Sequence, residues 1–235
     1  AAQDYAQDYF FDTVNPEQGY LDSVFTERIR QPATYSDFDE FTTYNTASRW
    51  TSMNENNGSV SILSNQLYLR ALQSPSEFSY STAATRTQAS FTKAYARWKQ
   101  VNFQLGDGAG QHVNNVGFSI NTSGSGFHSN LSGPHFSFST NGSWSFFIGG
   151  SQVSTGTGSF PHICEIAVVS GSGSGNGGRA SAWLDGVKVF EGDANLTGAF
   201  YWQAGVSTND QNGPTDDRYT IDDWFIYNGG TSTTF

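Results

Sequence analysis

Apolar and polar side chains alternate with a two-residue period along most of this chain, and no segment sustains the 3.6-residue period of an amphipathic helix. The pattern is clearest from Ala94 to Leu105, where Ala96, Trp98 and Gln100 oppose Tyr95, Arg97 and Lys99. It returns at Ser59–Leu63, Leu67–Leu69, Thr85–Phe91, Val116–Asn121, His135–Thr140 and Trp144–Ile148. Arg179–Leu184, Val187–Glu191, Phe200–Thr208 and Tyr219–Tyr227 continue it. Turn pairs such as Asn57-Gly58, Asn141-Gly142 and Asp185-Gly186 separate the runs, and Asp185-Gly186 predicts a two-residue hairpin. About a dozen strands at regular spacing, with no helices between them, predict an all-β antiparallel sandwich rather than βαβ units. His162–Ser170 reads almost continuously apolar after Cys164, which places it centrally in a sheet.

The first 36 residues differ in kind. Asp4-Tyr5-Ala6-Gln7-Asp8-Tyr9-Phe10-Phe11 is acidic and aromatic, and Asn15-Pro16 breaks the run soon after it. The chain therefore divides into an N-terminal arm, 1–36, and a sandwich domain, 37–235. Fully extended, such an arm reaches roughly 120 Å, against a radius of gyration near 16 Å for a domain of about 200 residues. An open sheet edge accepts an added strand. An arm carrying Tyr5, Tyr9, Phe10 and Phe11 is thus expected to complete the sheet of another copy, and head-to-tail donation does not close on itself. The expectation is a non-catalytic extracellular subunit whose main partner is itself, assembled as a fibre.

Composition removes several alternatives. Eleven Lys and Arg against twenty-one Asp and Glu give a net charge of −10, which argues against nucleic acid as a partner. No apolar run approaches the roughly 20 residues of a membrane-spanning helix. The single cysteine, Cys164, rules out an internal disulfide and lies in an apolar strand as a structural thiol. Sparse charge, one Met, one Cys and a start at Ala1-Ala2 lead to the expectation of a secreted chain. Sequons at Asn57, Asn121, Asn130, Asn141 and Asn195 are no more than chance supplies in so Ser/Thr-rich a sequence.

Several segments carry a resemblance in their order and spacing. They are Phe38-Asp39-Glu40-Phe41 followed by Trp50, the stretch Gly58–Leu69, Val116-Gly117-Phe118-Ser119, and Ala182-Trp183-Leu184-Asp185-Gly186. The last is Tyr219-Thr220-Ile221-Asp222-Asp223-Trp224-Phe225-Ile226-Tyr227. Together the chain resembles the concanavalin A-like lectin/glucanase superfamily, which includes laminin G-like domains. The resemblance implies a jelly-roll sandwich and a structural calcium ion held by Asp39 and Asp222. It implies no single function, because lectins, glycosidases, lyases and adhesive modules share the architecture.

The chemistry of those functions asks for different residues. The laminarinase-like glycosidases place E-x-D-x-x-E on one strand so that alternation turns every carboxyl into the cleft. No such run occurs, and Glu165 is followed by Ile166-Ala167-Val168-Val169. A polysaccharide lyase needs an Arg or amide to neutralise a uronate carboxylate and a His or Tyr to take its C5 proton. Arg86 and Gln88 share a strand face by alternation, with His162 and Tyr201 expected from neighbouring strands. Tyr201-Trp202-Gln203-Ala204-Gly205-Val206 resembles the "YFKAGV" strand of alginate lyases, with Gln203 at the Lys position and no Gln-Ile-His triplet elsewhere. The same residues, Arg86, Gln88, His162, Tyr201 and Trp202, are the candidates for polysaccharide binding, the alternative to self-assembly. His112, His128, His135 and His162 lack the paired spacing of metal ligands. The six Trp are mostly core, with one or two left to stack on sugar rings.

Overall fold

A computed structural model describes residues 36–39, 41–43, 49–55, 57–73, 81–106, 111–120, 132–173, 175–209 and 215–227. Among these residues there are fifteen strands and no helix, arranged as two antiparallel sheets packed face to face. Sheet I runs β13 (Val187–Asp193), β12 (Arg179–Leu184), β11 (His162–Val169), β6 (Lys93–Gln104), β15 (Thr215–Tyr227), β4 (Gln66–Gln73) and β3 (Gly58–Leu63). The short β1 (Ser36–Asp39) pairs with the far end of β15, Ser36 opposite Tyr227. Sheet II runs β10 (Ser151–Gly156), β9 (Trp144–Ile148), β8 (Pro134–Phe138), β7 (Gln111–Ser119), β14 (Tyr201–Asn209), β5 (Ser81–Thr87) and β2 (Trp50–Glu55).

The expected β-sandwich is therefore present, and β11 sits between β6 and β12 as its apolar run required. Asp185 and Gly186 turn with φ of 51° and 80°, the positive pair that matches strand twist in a two-residue hairpin. Alternation left β2, β10 and the starts of β5, β7 and β15 unread. In β10 only Val153 is a large apolar residue, because an edge strand paired on one side has little core to meet. β5 begins four residues before the expected Thr85, since its inward positions are Ser81 and Ala83 rather than large hydrophobes. The arm, including Tyr5, Tyr9, Phe10 and Phe11, lies outside the described residues.

Four tryptophans knit the sheets together. Trp50 and Trp202 come from sheet II, Trp98 and Trp224 from sheet I, and all four are at most 1% exposed. Ring centroids lie 4.7 Å apart for Trp50–Trp224, 5.5 Å for Trp50–Trp202, and 5.6 Å for both Trp98–Trp202 and Trp202–Trp224. Such tilted and edge-on contacts suit the ring quadrupole.

On the outer face of sheet I, Arg70 and Arg218 stand opposite one another and both grip the carboxylate of Asp216. The hydrogen bond from Arg70, reinforced by Arg218, holds the Asp216 carboxyl well below the usual carboxylate range. A carboxyl depressed on folding adds stability above its unfolded value near 4 and loses it as pH falls further. Asp216→Asn is therefore expected to cost at most about 1 kcal/mol at pH 7, since both guanidinium groups are well exposed. The difference from the parent should shrink steadily below pH 4 in urea denaturation. A gap that stays constant with pH would contradict this account.

Candidate functional site

The outer face of sheet II carries three of the buried side-chain polar atoms that have no hydrogen-bond partner among the described residues. In β14, Trp202, Ala204 and Val206 point into the core, so alternation turns Tyr201, Gln203 and Ser207 outward. Register then sets one row of side chains across the sheet. Thr51 on β2 faces Arg86 on β5, Arg86 faces Gln203, Gln203 faces Gly117 on β7, and Gly117 faces His135 on β8. His135 in turn faces Phe147 on β9. At about 4.8 Å per strand, Arg86 and His135 lie about 14 Å apart along the backbone, the span of about three sugar rings.

Three polar atoms along this floor are buried with no hydrogen-bond partner among the described residues: Arg86 Nε, Asn115 Nδ2 and His135 Nε2. Their chemistry is complementary. Arg86 Nε and Asn115 Nδ2 are donors. His135 Nδ1 lies 2.9 Å from the Gly133 carbonyl, which can only accept, so Nδ1 carries the proton and Nε2 presents a lone pair. Burial lowers the His135 pKa to about 4, which keeps the ring neutral at pH 7. Asn114, one residue earlier and facing inward, instead commits its amide to the Phe138 backbone, donating to the carbonyl and accepting from the N–H, each at 2.6 Å.

Packing fixes the orientation of these groups. The Arg86 guanidinium lies 4.6 Å over the Tyr201 ring. The His135 ring stacks on Phe147, 5.2 Å between centroids and 8° from parallel. Gly117 makes room for His135, because a Cβ there would stand 2.7 Å from the His135 Cβ and 2.3 Å from the Pro134 carbonyl oxygen.

Arg86 and Tyr201 are brought together as the sequence predicted. The other candidates are not. Gln88 lies beyond the end of β5 and donates its amide to the Trp50 carbonyl, away from the row. Trp202 is wholly buried in the core. His162 belongs to sheet I, where Nδ1 faces Asp185 Oδ2 and Nε2 faces the Gly142 carbonyl, both at 2.7 Å. With Phe138 stacked on it, His162 ties the β12–β13 turn to the β8–β9 turn, a structural role. Asp222 accepts from Gln66 Nε2 and caps the Asp223 amide, while Asp39 pairs through its backbone with Trp224. No group of three potential metal ligands occurs among the described residues. Of the tryptophans, only Trp144 is more than marginally exposed among these residues, so the expected indole platform is not on this face.

His135, Asn115 and Gln203 were missed as a set. The signal was there in part: Phe136, Phe138 and Val116 are inward, which turns His135 and Asn115 outward. Which positions then face each other depends on the β7–β8 register, and the connection between those strands carries no turn code for it.

No family model matches this sequence, and no curated protein matches it. Similarity appears among solved structures. The Bacillus licheniformis β-glucanase aligns over 85% of this chain and all of its own, at 14% identity and a TM-score of 0.53. A β-1,3-1,4-glucanase (lichenase) from a mouse hindgut metagenome covers 82% of this chain and 98% of its own, at 13% identity and 0.53. The potassium-bound carbohydrate recognition domain of Emp46p covers 83% and 97%, at 10% identity and 0.49. The chain has the concanavalin A-like lectin/glucanase fold.

Proposed function

We propose that this protein binds acidic polysaccharide along the outer face of sheet II. The observation that carries the reading is the set of buried, unsatisfied groups on this face: two donors, Arg86 Nε and, one pair of positions off the row, Asn115 Nδ2, and one lone pair, His135 Nε2. Buried polar atoms in folded proteins are nearly always satisfied, so three open valences on one sheet face suit a ligand that completes them. A sugar carboxylate accepts from Arg86 and Asn115, and a neighbouring hydroxyl donates to His135. Tyr201 and Phe147 offer ring faces to the apolar sides of pyranose rings. This reading is better supported than assembly through the arm, because it rests on described residues and the arm does not.

Titration calorimetry against polymannuronate, polygalacturonate and a neutral β-glucan tests it. Binding to at least one uronate polymer is expected, with Arg86→Ala weakening it about 10- to 100-fold, the cost of losing charge-assisted hydrogen bonds. Equal affinity for the neutral glucan, or an Arg86→Ala variant that binds unchanged, refutes the reading.

One observation favours a second reading, β-elimination. His135 Nε2 offers a base on the same face as the cation that would neutralise the carboxylate. The base takes the C5 proton, the C4–O bond breaks, and a C4=C5 double bond forms in the product. Growth of ultraviolet absorbance from that unsaturated uronate decides it, and silence on polymers that bind leaves a binding module.

A further inference from the structure

Where β11 of sheet I meets the β8–β9 hairpin of sheet II, the His162 ring faces an acceptor through each of its nitrogens. Nε2 lies 2.7 Å from the Gly142 carbonyl, and Nδ1 lies 2.7 Å from Asp185 Oδ2. A carbonyl oxygen only accepts, so Nε2 carries a proton, and the carboxylate asks the same of Nδ1. A neutral imidazole has one N–H and can satisfy only one of the two. We propose that His162 is a pH-dependent latch between the sheets. Doubly protonated, it holds the β8–β9 hairpin to the β12–β13 turn; on losing a proton it releases one of them.

Packing leaves the ring no other arrangement. The His162 side chain is 4% exposed, so water does not readily replace a lost partner. Phe138 stacks on the ring with centroids 5.5 Å apart, and Phe160 meets it edge-on at 5.7 Å. Gly158 closes on the ring edge, where a Cβ would stand 2.5 Å from His162 Cε1. The carboxylate is fixed as well. Asp185 Oδ1 accepts from the Ile163 amide at 2.8 Å, and the Asp185 amide donates to the Ile163 carbonyl at 2.8 Å.

The other groups packed around the ring leave its proton to Asp185. Asp185 is the one titratable residue of the β12–β13 turn, and neither Phe138–Trp144 nor Thr157–Pro161 contains any. On β6, the neutral Gln100 stands opposite His162, while Lys99, opposite Ile163, turns outward by alternation with the buried Trp98. On β11 itself, burial, with the Asp185 charge adding to it, pushes the Cys164 thiol well up, so it stays neutral. Glu165 faces the other way and accepts from the Tyr95 hydroxyl.

Taking the proton from His162 costs a contact made only in the folded chain, so folding should weaken as pH rises. Asp185→Asn reverses the logic without changing the shape. Asparagine keeps an oxygen for the Ile163 amide, places an NH2 group where Oδ2 stood, and accepts the φ of 51° at this position. That NH2 donates to a bare Nδ1, so in the variant a neutral ring keeps both contacts and protonation breaks one.

Urea denaturation of the full chain at about pH 5.5 and about pH 8.5, which span the charge change of imidazole, tests the latch. The folding constant of the parent should fall about 2- to 10-fold relative to that of Asp185→Asn over this interval, the net worth of one hydrogen bond. His112, paired with Asp217, is common to both proteins and cancels in the ratio. At the higher pH, backbone amides of the β8–β9 hairpin should exchange with deuterium several-fold faster in the parent than in the variant. A ratio of folding constants that does not fall with pH, or equal hairpin exchange in the two proteins, overturns the proposal. β8 and β9 also carry His135 and Phe147, so on the polysaccharide reading the latch sets how firmly that floor is held. The test involves no glycan, and its failure leaves that reading standing.

Discussion

Trp202→Ala should unfold this protein more readily than any substitution on its surface, by about 3–5 kcal/mol. The side chain is fully buried and touches the three other core indoles, with two of those contacts crossing from one sheet to the other. Its Nε1 has no hydrogen-bond partner among the described residues, so the loss is packing rather than a broken polar contact. Trp50, Trp98 and Trp224 are anchored on three different strands and cannot close the void together. A loss of that size consumes much of the about 5–15 kcal/mol typical of a domain and lowers Tm by about 10 °C. Trp202→Phe should lose clearly less than Trp202→Ala. Equal midpoints for Trp202→Ala and the parent in guanidinium melts would show that the four-indole cluster does not hold the sheets together.

Gly117→Ala is the change expected to damage the proposed binding face most. Its new methyl would meet the Pro134 oxygen at 2.3 Å and the His135 Cα at 2.6 Å, both backbone, so β8 itself must move away from β7. Overpacking of this kind costs about 1–3 kcal/mol, and the upper end is expected because no flexible side chain can yield. Since His135 rides on β8 and Arg86 on β5, the displacement also spoils their spacing, and uronate affinity should fall at least about tenfold. Adding His135→Ala should not restore stability, because the clash with Pro134 remains. A Gly117→Ala protein with parental Tm and parental binding would mean that the close approach of β7 and β8 is immaterial.

The proposed face and the core illustrate different kinds of information. Trp98, Trp202, Trp224 and their neighbours announce themselves by alternation, because a strand with one buried face must repeat every second residue. The hairpin at Asp185-Gly186 was equally legible, since φ is positive at both positions and few residue pairs accept that. Arg86 and Tyr201 were readable as outward residues, and they meet. His162 was not readable: an imidazole in an apolar strand looks the same whether it faces a ligand or, as here, an aspartate and a carbonyl on two neighbouring turns.

What the amino-acid order determined alone is therefore local: strand identity, the inward or outward sense of each side chain, the tight turns, and the sharp change in character before residue 37. Tertiary structure decided which outward residues became neighbours. Arg86, Asn115 and His135 come from three strands whose pairing is set by long connections and by β14 inserting between β5 and β7, so sequence distance carries no record of it. Partner choice and register arise from the packing of the two sheets as a whole, and a shift of one residue in any strand would have turned its share of the row into the core.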